Sequence, residues 1–493
     1  MWTVVLGAVM VPVDATIVNV AITKLAAATG ASLPVIQWVS TGYALALATV
    51  LPVAAWLINR FSSRTVFLAA VAVFAAGSAL VAASWNVESL IAFRVVQGLA
   101  GGVVTPAAMT LVLGSTPPAE RGRAMALLGL PLMLGPILAP VLGGWLLDTV
   151  SWRWMFLINL PIGAAAIGLG MRNLPALTAT PQGRLDWRGL ALLPPALAAL
   201  VLGTSLMTPG ALPPTVVVLF AVGAVLITAF VVHALRAPAP LLDLRLFGDR
   251  LVGGAAAVLF LYTGATMAGL ILMPLYWQVA QGEPALTTGL LMAPAAVVAA
   301  AVIRSSGTLI DSRTPLQVIG AGIALSLLAQ AGLAIAFTAG AATWMIAALW
   351  ALHSLGSAFV IMPGSTTAVR HLTGPQVPSA TTALQVSAQI AAAACVAAVS
   401  VLLTARLGVR LPTGPATVAE LAALSPTARA QVGPQVAAAF GDVAWLPTAL
   451  MLAAGLLALV VFRGIPAPQA HRVTASSVVP VAEESATEGT TRP

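Results

Sequence analysis

Charge is what this chain of 493 residues has least of: 7% are Asp, Glu, Lys or Arg, against about 25% in a soluble globular domain. That scarcity excludes an ordinary water-soluble surface. Cysteine occurs once, at Cys395, inside the apolar run 391–399, so the chain can form no internal disulfide and no thiolate metal cluster. Lys24 is the only lysine. Paired carboxylates at a catalytic spacing, zinc-ligand clusters and phosphate-binding glycine loops are also missing. No enzymatic activity, cofactor or metal is therefore expected. The alternating ten-residue segments of a membrane barrel are lacking too.

What is abundant is apolar sequence: 60% of the residues are hydrophobic. Runs of about 20 such residues recur from end to end, each long enough to cross the hydrocarbon core as a helix. About fourteen spans are expected, the last at Val443–Phe462, giving an all-α integral membrane protein. The net charge of +8 could point to nucleic acid, but the placement of the basic residues points to a membrane face. With the N-terminus inside, the outer side holds Lys24, Arg153, Arg406, Arg410 and Arg429, and one span holds Arg94. All other basic residues fall on the inner side, as the positive-inside rule requires when both termini are cytoplasmic. Nucleic-acid binding is not expected. Met1 leads almost directly into the first span with no basic leader, so no cleavable signal is expected, and the abrupt start suggests a missing cytoplasmic arm. An outer loop over 405–442 is expected to form a hairpin or small helices, and the Pro-, Ser- and Thr-rich tail 464–493 to be disordered.

Several stretches carry more than anchoring requires. In Gly129–Trp145, Gly129, Pro136, Pro140, Gly143 and Gly144 fall on one helical stripe. Proline costs roughly 3 kcal/mol and glycine about 1 in a helix interior, so the stripe needs a reason. It allows another backbone to approach closely; a kinked packing helix would explain it equally. Asp14 lies near the middle of the first span, where a carboxylate costs about 2.5–3.5 kcal/mol on insertion scales. Low dielectric disfavours the charged form of a carboxylate, so Asp14 is a candidate proton carrier; the alternative is an Asp that only bridges helices. Thr16, Asn19 and Thr23 form a separate polar stripe.

In the fourth span Arg94, Gln97, Gly98, Gly101, Gly102 and Thr105 share one face. Arg94 requires a carboxylate or carbonyl partner or, being near the outer end, could snorkel to the interface. Pairing with Asp14 is open at this point. The segments 55–64 (AWLINRFSSR) and 307–313 (GTLIDSR) are similar inner loops and suggest an internal duplication; each could equally be an ordinary basic loop. His353 is expected to be hydrogen-bonded to Ser354 or Ser357, and Glu283 to be a solvated loop charge. Trp152, Trp154 and Trp277 fit interfacial belts.

Together these segments resemble the fourteen-span drug:proton antiporters of the major facilitator superfamily, over about 12–406. Asp14-Ala-Thr-Ile-Val-Asn-Val-Ala resembles the first-span motif of that family, and Arg94-Val-Val-Gln97-Gly98 the fourth-span motif. Gly135-Pro136 with Pro140–Gly144 resembles the fifth-span antiporter motif, followed by a similar WRWMFLINLPIG at 152–163. PLLDLRLF at 240–247 and PLYWQ at 274–278 add to the likeness. The first-loop motif departs from the pattern: Ala55, Asn59 and Ser62 stand where Gly, Asp and Gly are usual, whereas Asp311 is kept in the repeated loop. Ala139 replaces a usual fifth-span Gly.

The resemblance implies two six-helix bundles, 1–173 and 246–463, joined by linkers and two extra helices over 174–245, rocking about a central cavity. It implies export of amphipathic compounds in exchange for protons, by a monomer in the bacterial cytoplasmic membrane. A neutral or monocationic substrate is more in keeping with the few midplane acids than a dication. Asp14 and Arg94 would couple the proton. Asn19, Gln97, Gly98, Gly135, Pro136, Pro140, Gly143 and Gly144 would form the cavity or the conformational motif. Asn59, Arg60, Arg64, Gly307, Asp311 and Arg313 would form a cytoplasmic loop gate. A proton-coupled importer on the same fold and a non-transporting membrane sensor are the competing readings.

Overall fold

Short local signals set the helix boundaries. The computed structural model describes residues 2–31, 33–117, 120–129, 142–143, 145–146, 149–175, 185–207, 213–374, 376–411, 421 and 425–467. The helices are α1 (Trp2–Thr29), α2 (Trp38–Phe61), α3 (Ser63–Ala82), α4 (Val87–Ser115), α5 (121–129) and α6 (Trp154–Asn173). They continue with α7 (Trp187–Ser205), α8 (Pro214–Arg236), α9 (Arg250–Leu275) and α10 (Ala285–Ser312). The last are α11 (Pro315–Thr338), α12 (Thr343–Val369), α13 (Gln376–Arg410) and α14 (Pro426–Val461). No strand occurs among the described residues. Of the tail, 468–493 lies outside them, as do Gly135, Pro136, Pro140 and Gly144.

Eleven described helices are long and apolar enough to cross a membrane, and twelve if Thr287–Val302 and Ser305–Ser312, bent by 42°, are one span. The first helix adds a shorter apolar stretch, Thr3–Val18. Caps satisfy the free amides of the first turns. Asn86 accepts from Ser89 at 2.8 Å in a capping box that opens α4, and Thr314 with Gln317 does the same for α11. Asp186 caps α7 and Asp249 caps α9. Burial works against the charge of Asp186, but the amide of Gly189, the His233 ring and the amide of Leu241 outweigh it and hold the carboxyl below its ordinary range. Between α2 and α3 the chain reverses at Ser62 with φ 73°, a left-handed conformation in which glycine would be unstrained. A serine occupies it here, and its hydroxyl accepts from the Thr65 amide at 3.4 Å.

Small residues bring α4 against α2. A Cβ added to Gly98 would strike the carbonyl oxygen of Tyr43, and one on Gly102 that of Leu47. Both pairs are four residues apart, so the two backbones run in contact for a full turn. α3 also packs on α4, and α6 on α1 and α3. In the second part of the chain α14 packs on α9, α11 and α13, and α12 on α10 and α11. α7 and α8 form a pair, with α7 set against α2 and α13. α13 also reaches α2 and α4, so it links the earlier helices to the later ones.

Three expectations need correction. The segment 426–442 is not loop: α14 begins at Pro426 and runs unbroken to Val461, because Ser425 caps it and Pro426 sits at a first-turn position that needs no amide. Arg410 forms a bidentate pair with Asp442 there at 2.9–3.2 Å. Trp277 is not interfacial but fully buried, in a cluster where Tyr276 stacks on Phe337 at 4.1 Å between centroids. Trp152 is buried as well, whereas Trp154 is 50% exposed.

Replacing Gly98 with Ala should destabilise the protein by about 1–3 kcal/mol, because backbone must move. Gly168 faces open space, so Gly168→Ala should be neutral or stabilising by up to about 1 kcal/mol. Thermal unfolding of the two variants in detergent distinguishes them.

Candidate functional site

Five helices bring polar side chains to one dry point. Asp14 (α1), Arg94 and Gln97 (α4), Ser78 (α3) and Asn159 (α6) are each at most 1% exposed, and Tyr43 of α2 is 2% exposed. Arg94 Nη1 forms an ion pair with Asp14 Oδ2 and donates to Gln97 Oε1 at 2.8 Å. Its Nε donates to the Val39 carbonyl at 3.2 Å, and the guanidinium lies 4.1 Å over the Tyr43 ring. Asp14 Oδ1 accepts from Gln97 Nε2 and from Asn159 Nδ2, both at 2.9 Å. Ser78 Oγ joins the same two amides, at 2.6 and 3.1 Å, and donates to the Phe74 carbonyl. The amide hydrogens of Gln97 and Asn159 are thereby all used.

One donor is left over: Arg94 Nη2 is buried with no partner among the described residues. A buried unmade hydrogen bond costs about 1–3 kcal/mol, more for a charged group. The arrangement is therefore close to a limit. Neutralising Asp14 would leave a buried guanidinium with an aromatic face, the Val39 carbonyl and the Gln97 amide oxygen, and uncoupling a buried pair costs about 3–5 kcal/mol. The charge of Asp14 and the fit of α1 against α4 are thus linked through Arg94. Arg94 has no exposed atom and does not snorkel.

A second site lies where α10 meets α5. Asp311 Oδ1 and Oδ2 accept the Gly122 and Arg123 amides at 2.8 and 2.9 Å, capping the first turn of α5. An anion is favoured there by the helix dipole. Gly307 makes the approach possible: a Cβ on it would lie 2.6 Å from the Ala126 Cβ and from the Gly122 carbonyl oxygen. Arg121 Nη1 donates to the Arg370 carbonyl at 3.0 Å, adding a tie between segments far apart in sequence.

The structure thus joins Asp14, Arg94 and Gln97 in one site and places Gly98 beside it. Gly307 and Asp311 belong to the second. Asn59 is buried, Arg64 donates to the Met171 carbonyl, and Arg60 and Arg313 are exposed. The side chains of Asn19 and Thr23 lie outside the described ones; Thr16 bonds the Pro12 carbonyl of its own helix at 2.8 Å. Gly143 faces α1, with a Cβ placed 2.9 Å from Ile17 Cγ1. Glu283 is partly buried. His353 is buried, but neither ring nitrogen has a partner among the described residues: Ser354 and Ser357 do not hold it, and the ring stacks between Trp350 at 4.8 Å and Tyr262 at 6.3 Å. Sequence reasoning missed Ser78, Asn159 and Tyr43 as site residues. The available signal was a lone Ser or Asn inside an apolar helix, which needs a buried partner.

A family model described as Major Facilitator Superfamily matches residues 4–340. The chain is 36% identical over 408 residues to the "Multidrug resistance protein B homolog" of Mycobacterium tuberculosis, covering 81% of this chain and 75% of that protein. It is 33% identical over 296 residues to the "Putative multidrug resistance protein MdtD" of Pectobacterium atrosepticum, covering 60% and 63%. Among solved structures, the proton:xylose symporter XylE with a bound deoxyglucose analogue superposes with TM-score 0.58 at 13% identity, over 92% of this chain and 93% of that one. That likeness shows the all-helical fold alone.

Asp14→Asn and Arg94→Gln should each destabilise the protein by about 3–5 kcal/mol, and the double variant by less than the sum. Denaturant unfolding in micelles measures the cycle; additive losses would mean that the two side chains do not act as a pair.

Proposed function

Because the chain belongs to the Major Facilitator Superfamily, whose members are membrane transporters and not enzymes, we propose that it is a proton-coupled antiporter exporting amphipathic small molecules across a bacterial cytoplasmic membrane. The observation that carries this reading is the buried Asp14, whose carboxylate is held by one guanidinium and two amides. The names of the relatives support drug-like substrates. The proposed topology has fourteen spans with both ends cytoplasmic, in two bundles, 1–173 and 246–463, with α7 and α8 between them. A single chain is the working unit.

The mechanism follows from the linkage at Asp14. A proton arriving from outside neutralises the carboxylate and removes the attraction that fixes Arg94. The guanidinium keeps its contacts with Val39 and Tyr43, so the seam between α1 and α4 loosens while that between α2 and α4 stays. On the inner side the capping of α5 by Asp311 must break for a cavity to open inward, so the two sites work as lock and latch. Gly143 lets the fifth span follow α1 closely. Substrate bound from inside then favours loss of the proton, which restores the Asp14–Arg94 pair.

Everted vesicles energised with a proton gradient test this reading. Adding an exported compound should dissipate the gradient for the wild type and not for Asp14→Asn; normal proton exchange by that variant would remove Asp14 from the mechanism. Gly143→Leu should reach the membrane in normal amount yet transport little or leak. Asp311→Asn should shift the protein toward the inward-open form, read as faster labelling of single cysteines introduced between α5 and α10. Unchanged labelling would show that the cap is not a latch.

A further inference from the structure

α8 is the least enclosed of the described apolar helices: only 17% of its most apolar window is buried. Along it runs an open groove of about 780 Å³. Its floor includes Val225, Thr228 and Val232, and at one end stand Arg188, His233 and Arg236. Val225 is 67% exposed, and the Thr228 hydroxyl donates to the Ala224 carbonyl at 2.8 Å, so these floor residues offer no free donor. From Val225 to Arg236 the helix rises about 17 Å, close to half of a hydrocarbon core of about 30 Å. The groove is therefore long enough to span one leaflet, which would put its charged end at headgroup level. Trp187, highly exposed at the same end, suits that depth.

The charge at this end is unspent. Arg188 and Arg236 are exposed and form no hydrogen bond or ion pair with a described residue. The nearby acid, Asp186, has both oxygens occupied, by the Gly189 and Leu241 amides and by His233 Nε2 at 2.9–3.0 Å. Two of the carbonyls around the end of α8, which would repel an anion, are covered: Arg245 donates to Leu235 and Ala237 at 3.3 and 2.7 Å. Two guanidinium groups thus stand above an apolar trough, neither paired with a described carboxylate.

We propose that this groove binds one anionic phospholipid of the cytoplasmic leaflet, its phosphate between Arg188 and Arg236 and an acyl chain along Val225–Val232. The leaflet assignment rests on the orientation proposed above; the binding chemistry does not. The lipid would fasten the paired helices α7 and α8 to the bilayer while the remaining helices move.

Native mass spectrometry of the full chain in detergent, with phosphatidylglycerol and phosphatidylcholine added in turn, tests the proposal. The wild type should retain one phosphatidylglycerol in preference to phosphatidylcholine. The double variant Arg188→Gln/Arg236→Gln should lose that preference by about ten- to thirty-fold, as expected for two basic contacts. Arg188→Lys/Arg236→Lys should keep it, and Arg463→Gln, an exposed arginine just past the end of α14, should leave it unchanged. Ala229→Trp, which fills the trough and spares both arginines, should also abolish retention. No preference in the wild type, a preference that survives the Gln double variant or Ala229→Trp, or displacement by millimolar inorganic phosphate would overturn the proposal. Orientation is read separately, by protease removal of a C-terminal tag in sealed vesicles, so an inverted topology would not be confused with absent binding.

Discussion

Asp14 and Arg94 meet where no water can share their charges, and much of the surrounding packing follows from that requirement. A carboxylate and a guanidinium are tolerated in a dry interior only with close geometry and further hydrogen bonds. Gln97 and Asn159 supply these to Asp14, Val39 and Tyr43 to Arg94, and Ser78 holds the two amides in place. Each partner comes from a fixed helix, so the pair dictates how five helices meet. Nη2 of Arg94 has no partner among the described residues, so the shell they form is not complete.

Close backbone approach is the second constraint. Gly98 and Gly102 bring α4 onto the carbonyls of α2, and this same contact carries Val39 and Tyr43 within reach of Arg94. Gly122 and Gly307 play a corresponding part between α5 and α10, where Asp311 caps a helix instead of meeting a cation. One site stores its electrostatic energy in a side-chain pair and the other in a helix terminus.

The two similar loops illustrate what pattern can and cannot settle. Asn59 and Asp311 occupy corresponding places in AWLINRFSSR and GTLIDSR, yet only the carboxylate can give both oxygens to the amides of a helix start. Ser62, in contrast, takes the left-handed conformation although it is not glycine. His353 was expected to find a serine and instead lies between aromatic rings with its nitrogens unmet. Helical spacing names a residue's neighbours on its own helix and says nothing of the helix packed against it.

The apolar runs, the punctuation by proline and capping residues, and the shared face of Arg94, Gln97 and Gly98 were legible in the sequence because they depend on chain-local geometry: a helix repeats every 3.6 residues wherever it sits. The cost of a charge in lipid likewise marked Asp14 and Arg94 without any knowledge of contacts. Tertiary structure decided that the two form a pair, that Ser78 and Asn159 complete their shell, and that Asp311 reaches a helix some 190 positions earlier in the chain. Those choices depend on which helices lie side by side. That is fixed by the packing of whole faces and by the close approach that a few glycines permit, quantities that no single helix contains.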